Sequence, residues 1–288
     1  MDDSTKLFGE QTIGHWKVIR QKIMDNPNEA NHWKEATNLL ELRLKTRYFD
    51  PISSILNIPN NDKEESLCSF VDKILSGFGL SSSSVMEENS VMALRGEGFA
   101  AMTLICSLIE FLQSCYEGRK YKNETNVNNL NLNFEYSLSG VIFKRFLECH
   151  EPFTSQFTNT TLNKTFFDDF YSNVRCGLLH EAATNNDWIV RQKSNATNFN
   201  KFVDVTDESK KIIFRDNFFE EIKIYFDKYK QKIINDEKGD IMIAGQNRTI
   251  HLRHAFCRKI DFLCDILFYD ISAPSPKWWD LREIYIEN

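Results

Sequence analysis

An excess of positive charge is missing from this 288-residue chain: 35 Lys and Arg stand against 41 Asp and Glu, a formal net charge of −6. That balance argues against a broad, non-specific nucleic-acid surface and leaves room only for local contacts. A membrane-spanning run is missing too, since the longest nearly uncharged apolar stretch, Phe99 to Ile109, is short and is interrupted by Thr103 and Ser107. The start, Met1-Asp2-Asp3-Ser4-Thr5-Lys6, is acidic and polar and does not read as a secretory signal. There is no Gly-x4-Gly-Lys phosphate loop and no Gly-x-Ser-x-Gly nucleophile turn, which sets aside P-loop NTPases and α/β-hydrolases. Paired cysteine spacing is lacking as well. Seven Cys, an odd number, point to reduced thiols and a cytoplasmic protein.

Helical periodicity dominates what is present. His15 to Met24, Asn31 to Ser54 and Lys63 to Ser76 read as helices, with a stop near Pro59. Gly77 to Leu80 and Ser81 to Ser84 read as a linker, so an N-terminal helical region, 1–88, is expected beside a second domain, 89–288. Further helices are expected over Gly98 to Tyr116, Ser137 to His150, Phe166 to Ala182, Asn217 to Ile234 and Thr249 to Phe268. An Asn-rich loop, Tyr121 to Asn133, separates two of them, and Lys201 to Val205 with Lys211 to Phe214 reads as a small β-hairpin. The fold class is therefore mainly α. Pro274 and Pro276 end the pattern and leave a tail with Trp278 and Trp279.

The most informative segment is Asn173-Val174-Arg175-Cys176-Gly177-Leu178-Leu179-His180-Glu181-Ala182. Arg offers a planar fork of donors to a phosphate and His moves protons near neutral pH, so the two suit phosphodiester chemistry without a metal. Five residues of ideal helix turn through about 500°, which leaves the Arg175 and His180 side chains roughly 140° apart. Winding Phe166 to Ala182 puts Phe166, Phe167, Phe170, Tyr171, Val174 and Leu178 on one face, a core face. Arg175 and His180 flank a second face that carries Cys176 and Leu179, which would suit contact with a second copy of the chain. Gly177 would permit a close backbone approach. The plain structural reading is that Arg175 pairs with Asp168 or Asp169 and His180 ends the helix, where its charge would meet the helix dipole.

Phe170-Tyr171-x-x-Val174-Arg175-Cys176-Gly177-Leu178-Leu179-His180-Glu181 resembles the Arg-x4-6-His signature of HEPN domains, an all-helical fold found in bacterial toxin and phage-defence ribonucleases. Gly96 to Leu112 resembles the long early helix of that fold, and the likeness spans about residues 95 to 270. What the resemblance implies is a HEPN-like helical bundle with an extra N-terminal region and a β-hairpin insertion. It further implies a metal-independent endoribonuclease, with no cofactor, that acts on RNA as a homodimer joined through the motif helix. Arg175 and His180 would be catalytic, with Glu110, Cys176 and Glu181 in support and Glu110 in an orienting role. A partner protein, an antitoxin or another member of a defence complex, is implied in the same way. Two positions depart from the family pattern. Cys176 stands where many members have Asn, Asp or His, and Ala182 stands where members neutralised by a nucleotidyltransferase antitoxin carry Tyr. The first departure keeps open an inactive module that binds RNA, a nucleotide or a protein.

Three other signals are weaker. Gly96-x-Gly98-x-x-Ala101 matches a loose dinucleotide fingerprint but lacks its strand context. His251, His254 and Cys257 recur every third residue but lack a fourth zinc ligand. On the helical wheel His251, His254, Arg258 and Asp261 share the side opposite Leu252, Phe256, Ile260, Leu263 and Leu267, so a solvated or RNA-facing edge is expected there. Basic clusters at Arg119 to Lys122, at Lys228, Lys230 and Lys232, and at Arg248, Arg253, Arg258 and Lys259 read as solvated faces.

Overall fold

The computed structural model describes residues 2–56, 97–130, 134–193, 201–243, 246–266 and 285–286. The expected helix Lys63 to Ser76, the linker after it and the Trp-bearing tail lie outside the described residues. The chain opens on a short antiparallel ladder, β1 (Lys6–Phe8) with β2 (Gln11–Thr12). Helix α1 (Ile13–Asp25) comes next, started by the Thr12 N–H donating to His15 Nδ1 at 3.1 Å and burying Ile13, Trp16, Ile19 and Ile23 at three- and four-residue spacing. Helix α2 (Ala30–Leu44) runs through a π turn, Lys45–Phe49, into α3 (Asp50–Leu56).

Helix α4 (Glu97–Glu117) is the hub. Among the described residues it alone is long and apolar enough to cross a membrane, and 61% of its most apolar window is buried inside the protein. It packs against α3, α5 (Ser139–Cys149), α9 (Arg215–Ile234) and α10 (Leu252–Leu263). Between α4 and α5, β3 (Lys120–Tyr121) runs parallel to β4 (Glu135–Tyr136). A short helix α6 (Phe153–Gln156) and the ladder β5 (Thr158–Asn159) with β6 (Lys164–Thr165) lead into the motif segment. That segment is helical from end to end but not uniformly α: α7 (Phe167–Phe170), a π turn Tyr171–Arg175, then α8 (Cys176–Glu181).

The expected hairpin exists and is larger than expected. β8 (Val203–Asp204) pairs antiparallel with β9 (Lys211–Phe214), and β7 (Trp188–Arg191) adds to the far side of β9 in parallel. A second hairpin, β10 (Lys238–Ile243) with β11 (Gln246–His251), joins α9 to α10, and β12 (Tyr285–Ile286) extends it. The chain is thus mostly helical with a few small sheets. Its core is aromatic: Phe170 stacks on Phe218 at 6.0 Å between centroids and meets Phe157 edge-on at 4.8 Å. Such pairs add about 0.5–1.5 kcal/mol each beyond area burial. Trp16, Trp33 and Leu40 from the N-terminal side belong to the same buried cluster as Ile105, Phe170 and Phe256.

The last helix corrects the sequence reading. α10 is not a solvated edge: every residue from Leu252 to Asp261 is buried. Its charged residues are held internally. Arg20 Nε and Nη2 donate to Asp261 at 2.8 Å each, and Trp16 Nε1 donates to it at 2.7 Å. Arg253 donates to the Ile233 and Ile234 carbonyls at 2.8 Å, with its guanidinium 4.5 Å from the Trp33 ring centroid. The Arg258 guanidinium lies 4.5 Å from the Phe134 ring centroid, and Lys259 Nζ donates to the Arg119 carbonyl at 2.9 Å. The third basic cluster is therefore largely interior. His251 and His254 stack at 4.6 Å, and no group of three metal-ligand side chains comes together among the described residues.

Candidate active site

The aromatic face of the motif segment is buried as its spacing predicts: Phe166, Phe167, Phe170, Val174 and Leu178 all belong to the core, with Tyr171 half-buried. That anchoring decides where Arg175 points. The π turn is closed by the Cys176 N–H donating to the Tyr171 carbonyl, and such a turn inserts one residue and re-aims the side chains beyond it. Arg175, the last residue of the turn, reaches toward α4, β4 and the start of α5. Its Nη2 donates to Glu110 Oε2 at 3.3 Å and to Ser139 Oγ at 3.5 Å, and its guanidinium lies 5.4 Å from the Tyr171 ring centroid. Tyr136 OH donates to the other oxygen, Glu110 Oε1, at 3.4 Å.

The structure thus joins two residues singled out in the sequence, Arg175 and Glu110, by an interhelical ion pair whose side chains are 18% and 17% exposed. The alternative partners of Arg175 are engaged elsewhere. Asp168 pairs with Lys144. Asp169 accepts from Asn173 and Asn186 at 2.8 Å, from Trp188 Nε1 at 2.7 Å and from Lys211 at 3.1 Å. Its carboxyl is held below the usual range, because these donors outweigh the cost of burial. The Asp169 network ties the loop after α8 back onto the motif segment.

Gly177 makes that return possible. A Cβ there would lie 2.6 Å from the Ala183 carbonyl oxygen, where the chain turns back through Ala182 at φ 52°. Similarly, Gly140 admits the Tyr171 ring, which a Cβ would meet at 2.8 Å. Ring and ion pair therefore depend on a small residue in α5 that has no signature of its own.

Burial pulls the Arg175 guanidinium down, but Tyr171, Glu110 and Cys176 around it hold it above its ordinary value, so it stays charged. The Tyr136 hydroxyl is pushed well up by burial and by Glu110 beside it, so it remains a donor. Beneath them burial pushes the Cys106 thiol up to about 12. Cys176 is half-buried beside Arg175. His180 and Glu181 are exposed at the C-terminal end of α8, and His180 makes no hydrogen bond or ion pair among the described residues. Leu179, on the proposed second face, is 50% exposed.

Sequence reasoning missed Tyr136 and Ser139. They come from separate elements, and nothing in their local pattern marks them. No protein-family model matches the chain, and no curated protein or solved structure does. Function is therefore argued from the site's chemistry.

Proposed function

We propose that the chain is a HEPN-like ribonuclease that cleaves RNA by attack of the ribose 2′-hydroxyl, with Arg175 and His180 in the catalytic roles. The observation that carries this reading is the Arg175 arrangement: a charged guanidinium braced by Glu110, Ser139 and Tyr171, on the same short helical segment as an exposed, uncommitted His180. His180 takes the 2′-hydroxyl proton while the 2′-oxygen bonds to phosphorus and the bond to the 5′-oxygen breaks. The departing 5′-oxygen is protonated by the His180 of a second copy in a homodimeric, composite site. Products are a 2′,3′-cyclic phosphate and a 5′-hydroxyl. Arg175 holds the phosphate and its developing charge, worth about 2.7–4 kcal/mol of barrier for one preorganised donor. Glu110 orients the guanidinium through one oxygen and is itself oriented by Tyr136 through the other. The exposed Leu179 supports the dimer contact, since an apolar side chain beside the motif gains by leaving water. A cytoplasmic role in a toxin or anti-phage defence system, with an antitoxin or complex partner, belongs to the same proposal.

One observation favours a second reading, a binding module without catalysis. Glu110 already neutralises Arg175, which weakens the pull on a phosphate. Incubating the purified chain with mixed RNA in EDTA separates the two. The ribonuclease reading expects fragments ending in 2′,3′-cyclic phosphate and none from substrate with 2′-deoxyribose at the scissile position. Intact RNA that is nevertheless shifted on a native gel would establish the binding module instead.

A further inference from the structure

A second site lies away from the Arg175 cluster. A half-enclosed cavity of about 250 Å³ opens between α4, α5, α9 and β10. Its walls are Tyr116, Tyr225, Tyr229 and His150, all buried, with the His150 ring 4.6 Å from Tyr116 and 4.7 Å from Tyr225. The volume is below the roughly 300–1,000 Å³ of sites for drug-sized ligands, and suits one ring with a short polar arm.

The polar groups are placed in two tiers. Deep in the wall, Gln113 gives its amide hydrogen to Glu117 Oε1 at 2.8 Å, so Gln113 Oε1 is the acceptor for His150 Nε2 at 2.9 Å. His150 Nε2 therefore carries the proton, and Nδ1 is left as an acceptor with no partner among the described residues. The ring is 8% exposed, and burial, then the nearby Lys232, holds it neutral, down to about 3. At the rim, Lys228 and Lys232 stand one turn apart on α9, and neither forms an ion pair among the described residues. Glu151, after α5, and Asp240, on β10, line the cavity from the other elements, with Glu151 Oε2 accepting from the Ser155 N–H at 3.3 Å, Asp240 Oδ1 from Thr249 Oγ1 at 3.5 Å, and the Asp240 carbonyl from Tyr116 OH at 3.1 Å. The mouth is polarised: cations on one helix, anions on its neighbours.

We propose that this cavity binds a small ring-bearing zwitterion, of which an aromatic α-amino acid is the simplest form. Its carboxylate meets Lys228 and Lys232, its ammonium meets Asp240 and Glu151, its ring lies among the tyrosines, and a ring hydroxyl donates to His150 Nδ1. L-tyrosine is the probe that satisfies every group.

Calorimetric titration of the full chain with L-tyrosine tests this. One-to-one saturable binding is expected, with L-phenylalanine about tenfold weaker for want of the donor to Nδ1. Tyramine, without the carboxylate, and 3-(4-hydroxyphenyl)propionate, without the ammonium, should each bind about tenfold weaker or less. Lys232→Gln and Asp240→Asn, both outside the core, should lose about tenfold in L-tyrosine affinity with an unchanged melting temperature. Absence of saturable L-tyrosine binding overturns the proposal. So does equal binding of tyramine or of the propionate, and so does inorganic phosphate competing as strongly as L-tyrosine, which would make the rim an anion site only.

Discussion

The motif segment and the last helix have similar polar content at helical spacing, yet the structure treats them in opposite ways. In the motif segment the aromatic face is buried while Arg175 is half-buried and His180 exposed. In α10 both faces are covered, and Arg253, Arg258, Lys259 and Asp261 lie inside. The difference comes from position in the layers. α10 has α4 behind it and α1 and α2 in front, supplying Arg20 and Trp16 to Asp261 and the Trp33 ring to Arg253. The segment α7–α8 has core on one side only. A polar stripe therefore signals solvent only where no second layer arrives. Where one does arrive, the same residues become interior ion pairs and carbonyl caps, which are costly to break from one side.

The largest effect expected from that contrast is at Asp261. Asp261→Ala removes the carboxylate onto which the buried Arg20 guanidinium forks and should cost roughly 3–5 kcal/mol, read by urea denaturation. A loss below about 1 kcal/mol would mean that water reaches the pair and that α10 is not interior.

Next comes Gly177→Ala, which drives a methyl into the Ala183 carbonyl and should cost about 1–3 kcal/mol while lowering activity, because the loop tied by Asp169 must shift. A fully stable Gly177→Ala would deny the close return of the chain over α8. At the ion pair, Arg175→Ala leaves Glu110 with Tyr136 and partial solvent, so a smaller loss of about 1–2 kcal/mol is expected together with loss of cleavage.

Buried His150 supplies a pH signature. Its folded value, down to about 3, lies below the ordinary 6.5, so between those values the unfolded chain binds more protons and stability falls with acidity. Its contribution is fully present above about pH 6.5 and is lost as pH drops toward 3. Thermal melts of the wild type across that window should decline more steeply than those of His150→Gln. Parallel curves would place the imidazole in water.

These contrasts also show how far the sequence could be read. The helices over His15 to Met24, Ser137 to His150 and Asn217 to Ile234 were legible because their apolar residues recur at three and four. The Lys238 to His251 hairpin was missed, although Ile241, Met242 and Ile243, then Gly245 and Ile250, carried a strand-turn-strand signal overshadowed by the helices on either side. At the site, Arg175 and Glu110 could be found from their place in otherwise apolar helices. Tyr136 and Ser139 could not, because their contacts, Tyr136 to Glu110 across 26 residues and Ser139 to Arg175 across 36, are set by packing rather than local pattern. The π turn was hidden for the same reason, since Tyr171 to Arg175 shows ordinary helical spacing.

The smallest structural effect is expected at His180, and it gives the most direct test of the proposed chemistry. His180→Ala should melt with the wild type, because the imidazole makes no contact among the described residues that folding needs. Cleavage rates of defined RNA in EDTA, measured alongside the melts, should then show wild type active and His180→Ala dead at equal melting temperature. A His180→Ala chain that cuts at the wild-type rate would contradict the assignment of the reacting base to His180, and with it the proposed ribonuclease mechanism.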